Sequence, residues 1–122
     1  MFCFSAARVS FMFNQQGIEA FNTFSFPTFG LPNTTYDRIQ EIRDIEAAHL
    51  AIFQTQISSV PIKPGPCHYT FGATDAQSFI VTLTLLEIAS ITFLTGLAQQ
   101  AQLNVTKGAL TAIAGTESRH AT

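Results

Sequence analysis

Residues 39–57 read IQEIRDIEAAHLAIFQTQI. At 100° per residue, Ile39, Ile42, Leu50, Phe53 and Ile57 share one face, as an amphipathic helix requires. Glu46 and His49 fall on that same face, while Glu41, Asp44, Ala48 and Thr55 lie opposite. A carboxylate within an apolar stripe is costly unless it is paired or bound to a metal. The pattern recurs near the C-terminus. Leu110, Ile113, Glu117, His120 and Ala121 repeat Ile39, Ile42, Glu46, His49 and Leu50 at a constant offset of 71 residues.

One Glu-x-x-His is a weak signal, because four-residue matches occur freely. Two copies in the same phase against the same apolar frame are a much stronger one. Glu-x-x-His on each of two helices is half of a carboxylate-bridged dinuclear metal site in a four-helix bundle, the other two helices giving one Glu each. Glu87 is the third inward carboxylate. Alone it reads as a core glutamate bonded to a Thr hydroxyl; beside two Glu-x-x-His pairs it reads as a ligand. The expected metal ligands are therefore Glu46, His49, Glu87, Glu117 and His120. Oxygen and imidazole donors suit iron or manganese, with zinc as an alternative. The fourth carboxylate is missing: no acid precedes Glu19, which follows Gly17 at the expected end of the first helix. Five ligands serve one metal ion, or two weakly with water completing the shell.

Composition bounds the rest. The 122 residues make one domain, 1–122, with 47% hydrophobic and only 11% charged residues. Such a chain hides most of itself, the usual charged fraction being about 25%. A net charge of −2 gives no reason to expect a nucleic acid partner. Cys3 and Cys67 set no disulfide framework and match no zinc spacing. Cys67 reads as a small buried residue and His68 as a plain loop histidine. Arg43 and Arg119, flanking the expected ligands, read as partners of surface carboxylates. The N-terminal MFCFSAARVSFMF lacks the basic start and clean apolar core of a signal peptide. Asn33-Thr-Thr and Asn104-Val-Thr fit the N-glycosylation pattern and permit a secretory location.

Along the chain, Phe11–Phe13, Ile18 and Phe21 fit a first helix ending near Gly17 or Phe21. FSFPTFGLP (24–32) is a loop whose Phe residues cover the bundle end. A helix over 35–58 follows, capped by Asn33, Thr34 or Thr35. VPIKPGPCHYTFG (60–72) is a long loop. Thr74-Asp-Ala-Gln77 reads as a capping box opening a helix over 75–102, and a last helix runs from 105 to the end, fraying at His120. The stretch 79–97 is long and apolar enough to span a membrane, but it carries Glu87, Ser90, Gly96 and four Thr. A helix apolar all round is also what the centre of a bundle gives, so a membrane partner is not expected.

In order, QGIEAF (16–21), RIQEIRDIEAAHLAIFQTQI (38–57), PCHYTF (66–71), FIVTLTLLEIASITFLTGLAQQA (79–101) and LTAIAGTESRHA (110–121) resemble the ferritin-like family of fungal stress-response and sexual-development proteins and plant desiccation-related proteins. The resemblance covers about residue 16 to the C-terminus. It implies an all-α, ferritin-like four-helix bundle, often on secreted chains, with Glu46, His49, Glu87, Glu117 and His120 at the family's inward metal-type positions. Two departures stand out. MFCFSAARVSFMFN occupies the place of the family's helix 1 glutamate, with Ser10 near that position, and the family chain continues past its last Glu-x-x-His. The expected fold is an up-and-down bundle incomplete at helix 1 and at the C-terminus, and the chain reads as fragment-like. The expected function is a stress- or development-associated metal protein, a di-iron oxidase or peroxide scavenger. The alternative is a structural or interaction bundle with a dead site.

Overall fold

The computed structural model describes residues 6–53, 55 and 69–122. Among them are four α-helices: α1 (Ala6–Ala20), α2 (Thr35–Ile52), α3 (Ala76–Gln100) and α4 (Asn104–His120). A short 3-10 turn, Pro27–Phe29, sits in the first connection. Cys3, Cys67 and His68, the expected loop over 60–68 and the expected end of the second helix at 58 fall outside the described residues.

Of the two ends expected for the first helix, near Gly17 or near Phe21, α1 takes the second: it runs through Gly17 to Ala20, and Phe21 N–H closes its last turn on the Gly17 carbonyl. Glu19 lies exposed at its end, accepting from Gln15. Helix α2 begins after Thr34 with no side-chain cap; the Thr35 hydroxyl turns back to the Pro32 carbonyl instead. Its α-helical part ends at Ile52, where Phe53 N–H is shared between the His49 and Leu50 carbonyls and the backbone widens into a π-type turn. The capping box of α3 is one residue later than the sequence reading placed it. Asp75 is the N-cap, its carboxylate accepts from Ser78 N–H at 2.7 Å, and the Ser78 hydroxyl takes the Asp75 N–H in return. Asp was the better acceptor, and the reciprocal hydroxyl of Ser78 fills the role expected of Gln77.

The side-chain contacts give the helix directions. Ser10 meets Glu87 and Gly17 meets Phe79, so α1 runs antiparallel to α3. Gln15 bonds Arg43, and the Ile18 carbonyl takes the Tyr36 hydroxyl, so α1 is antiparallel to α2 as well. Leu94 packs with Leu110, and Glu87 faces His120, which makes α3 and α4 antiparallel. Helices α2 and α3 therefore run in the same direction. Strict up-and-down alternation is thus corrected to two antiparallel hairpins joined by a long crossover, residues 53–75. That topology is one of the known ways to build a four-helix bundle.

Two apolar layers close the ends of the bundle. Phe13, Phe26, Ile39, Ile42, Ala76, Phe79 and Leu83 form one; Leu94, Leu110 and Ile113, with Ile52, Phe53 and Leu97 against them, form the other. Of the Phe residues in the first connection, Phe26 is fully buried in the first layer, whereas Phe24 and Phe29 point outward. Helix α3 is uncharged apart from Glu87, and by length and composition it could cross a membrane. Its inner face, Phe79, Leu83, Glu87, Ser90 and Leu94, is buried in the bundle, while Val81, Leu85 and Ile88 lie exposed on the opposite side.

Candidate metal centre

Between the two apolar layers lies a polar one. Glu46 on α2, Glu87 on α3 and Glu117 on α4 are 0%, 0% and 1% exposed. Residues three or four apart on a helix share a face, so the frame that buries Ile39 and Ile42 also turns Glu46 and His49 inward. The repeat on α4 does the same for Glu117 and His120, and the His120 side chain is 2% exposed. One ligand atom from each of Glu46, Glu87, Glu117 and His120 lies within 4.8 Å of all the others. The four residues form a candidate metal site of three carboxylates and one imidazole.

The two repeats cross over each other. His49 Nδ1 stands 3.0 Å from Glu117 Oε1, and His120 Nδ1 stands 3.4 Å from Glu46 Oε1. His120 Nδ1 is also 3.5 Å from Glu87 Oε2 and 3.4 Å from Glu117 Oε2. The fifth expected residue, His49, is placed beside Glu46 and Glu117 but outside the group of four. These are charge-pairing distances without hydrogen-bond alignment. Both oxygens of Glu46, Oε2 of Glu87, Oε2 of Glu117 and Nδ1 of both histidines are buried with no hydrogen-bond partner among the described residues.

Helix α1 brings no carboxylate. Ser10, 4% exposed, fills the position facing α3, its hydroxyl 3.4 Å from Glu87 Oε1. One turn on, Asn14 is fully buried and donates its amide Nδ2 to the Ser10 carbonyl at 2.9 Å. Sequence reasoning missed Asn14. The signal was present: Ser10, Asn14 and Gly17 stand at i, i+4 and i+7 on the face that carries Phe13. The arginines beside the cluster stay outside it, Arg43 pairing with Asp44 at 2.6 Å and with Gln15. The C-terminal turn is tied down at the Arg119 carbonyl, which accepts from the Thr122 hydroxyl and from Arg38, so the expected fraying at His120 is opposed.

The electrostatics follow from this crowding. Burial alone pushes the imidazoles down, but the surrounding carboxylates outweigh it. Glu117 and Glu46 raise His49 to about 9. Glu117, Glu46 and Glu87 raise His120 to about 11. Burial pushes Glu87 up to about 8, with the Glu117 and Glu46 charges adding to it against the pull of His120. Burial would also raise Glu117, but His120 and His49 hold it well below the usual carboxylate range. The cluster thus holds protons that a cation would replace.

The family model for a ferritin-like domain matches residues 9–122. No curated protein and no solved structure matches the chain.

Proposed function

This chain belongs to the ferritin-like domain family, and we propose that Glu46, Glu87, Glu117 and His120 hold a metal ion, with His49 as the fifth ligand. Iron is the proposed ion, with manganese and zinc as alternatives. The observation that carries this reading is the set of orphaned donor atoms. Buried polar groups are almost always satisfied, yet four carboxylate oxygens and two imidazole nitrogens converge here without partners. A cation answers all of them at once.

The spacing favours one firmly held ion. Ligand atoms on opposite sides of an ion, with bonds of about 2.0–2.2 Å, stand roughly 4.0–4.4 Å apart, about 0.4–0.8 Å tighter than the 4.8 Å within which all four ligand atoms lie. Two ions at about 3.5–4 Å from each other need further donors, and α1 offers only the Ser10 hydroxyl at that place. Bound iron supplies a Lewis acid and a one-electron redox centre. The residues themselves supply the negative charge, keep water away through the two apolar layers, and hold protons at Glu87, His49 and His120 until metal displaces them. A role in stress or developmental physiology is proposed only on the resemblance of the ordered motifs to that branch of ferritin-like proteins.

One observation favours a second reading. With Ser10 in place of a carboxylate, the bundle could keep its fold around a dead site and serve as a structural or interaction module. Anaerobic thermal melts with and without ferrous iron separate the two. On the metal reading, iron at a hundredfold excess over its dissociation constant stabilises the fold by about 2.7 kcal/mol, and Glu46→Gln with Glu117→Gln abolishes that gain. A parent protein whose melting temperature ignores iron, and which the double substitution stabilises, supports the dead site.

A further inference from the structure

A metal ion at the centre accounts for every orphaned buried atom among the described residues but two. These are Nε2 of His120 and Oδ1 of Asn14. They are complementary, since with Nδ1 engaged by the carboxylates and metal, Nε2 carries the ring proton and is a donor, while an amide oxygen is an acceptor. The Asn14 amide is not free to turn over, because its Nδ2 donates to the Ser10 carbonyl at 2.9 Å and a flipped amide would set oxygen against oxygen.

The helix register puts the two residues in one layer. Ser10 and His120 both reach Glu87, and Glu117 reaches His120, so Ser10, Glu87 and Glu117 share a level. Helices α1 and α4 are each antiparallel to α3 and therefore parallel to each other. Asn14 lies four residues beyond Ser10, roughly 6 Å, and His120 three beyond Glu117, roughly 4.5 Å, in the same direction. Asn14 is fully buried and the His120 side chain is 2% exposed. Both therefore face the interior on the same side of the carboxylate layer.

We propose that Asn14 is the positioning residue for His120: its side-chain oxygen accepts the Nε2–H of His120 through one bridging water, and so holds Nδ1 toward the carboxylates. A metal-bound imidazole almost always has such a partner on its other nitrogen, and removing it weakens metal binding about 10- to 100-fold. The inference rests on the metal reading for its effect on affinity, but not for the hydrogen bond itself.

Two readouts keep these apart. The first is the His120 Nε2–H proton in nitrogen-resolved NMR of the metal-free protein, assigned by its loss in His120→Ala. The second is Zn2+ affinity by competition with a chelating dye. Asn14→Leu should speed exchange of that proton with water until its signal is lost, and should weaken Zn2+ binding 10- to 100-fold. Asn14→Asp, which keeps the acceptor, should retain both the signal and the affinity, and it serves if the Leu variant does not fold. In a His120→Ala background, Asn14→Leu should change Zn2+ affinity no further. If the parent binds no Zn2+ but its Nε2–H signal depends on Asn14, the metal reading fails and the positioning bond stands. If the signal and the affinity both survive Asn14→Leu, or the signal is lost equally in Asn14→Asp, Asn14 does not orient His120.

Discussion

Ser10 sets the composition of the polar layer. It is buried, it faces Glu87 Oε1 at 3.4 Å, and it brings a hydroxyl where the other three helices bring carboxylates. Ser10→Glu should therefore have opposite effects in the two states of the protein. Without metal, a fourth carboxylate in an apolar core is an unpaired buried charge and should destabilise the fold by on the order of 3 kcal/mol. With manganese or iron in excess it should restore stability and raise the metal content from about one ion per chain toward two, as the four-carboxylate arrangement requires. Elemental analysis of the desalted protein together with calorimetric melts checks both halves, and a variant that loses stability without gaining metal would deny α1 any place in the site. At this scale the inward placement of Glu46, His49, Glu117 and His120 was legible because their sequence phase is that of Ile39, Ile42, Leu110 and Ile113, and Glu87 stood out as the one charge in a long apolar run. The crossing of His49 to Glu117 and of His120 to Glu46 was not. Periodicity tells which way a side chain faces from its own helix; which helix lies opposite depends on packing.

Helix α1 approaches α3 at Gly17. A Cβ there would collide with Phe79 Cζ and its neighbouring ring carbon, inside any tolerable contact. The Phe79 ring cannot swing aside freely, since it stacks on Phe13 with centroids 4.5 Å apart. Gly17→Ala should cost roughly 1–3 kcal/mol by overpacking, and Gly17→Ala with Phe79→Leu should recover part of it, which chemical denaturation of the two variants measures. Gly17 was one of two ends the sequence offered for this helix, because glycine disfavours helix interiors; here the need for a bare surface under Phe79 overrides that preference and the helix runs on to Ala20. The start of α3 is set by Asp75, whose carboxylate is held below its ordinary range by the hydrogen bonds from Ser78. Asp75→Ala should lower the melting temperature at neutral pH and Asp75→Asn should keep most of it, because Asn still accepts from the N3 amide. The difference between parent and Asp75→Ala should shrink as acid protonates the parent carboxylate. The long helices were legible from their apolar period. The parallel course of α2 and α3 was hidden because a connection as long as residues 53–75 allows either direction, and only the contacts along α1 and α4 decide it.

For the molecule as a whole, a layer of ionisable groups clamped between two apolar layers makes stability depend on pH and on metal together. In the fold Glu87 keeps its proton up to about 8, against 4.5 for an ordinary glutamate. His49 and His120 keep theirs up to about 9 and about 11, against 6.5. A group whose folded pKa is raised favours the fold below its unfolded value and loses that contribution as pH rises toward the folded one. Glu117 has the opposite sign: held ionised in the fold, it favours the folded state above 4.5 and loses that contribution in acid. Between pH 6 and 8 three groups pull the same way, so the metal-free protein should melt at a lower temperature at pH 8. A loss of even about 1 kcal/mol moves the midpoint by roughly 4 °C in a domain of this size. Metal ligation requires the same groups without their protons, so the gain from saturating manganese should be larger at pH 8 than at pH 6, and the two melting curves should diverge as pH rises. Replacing Glu46 and Glu117 with Gln removes the carboxylates that raise both histidines and should flatten the metal-free slope while closing the gap made by manganese. Calorimetry at fixed ionic strength at pH 6, 7 and 8, with and without manganese, measures all of this. A metal-free midpoint that holds steady from pH 6 to 8 would mean that the polar layer does not carry those protons, and the cluster would then have to be neutralised by some other cation even in the purified protein.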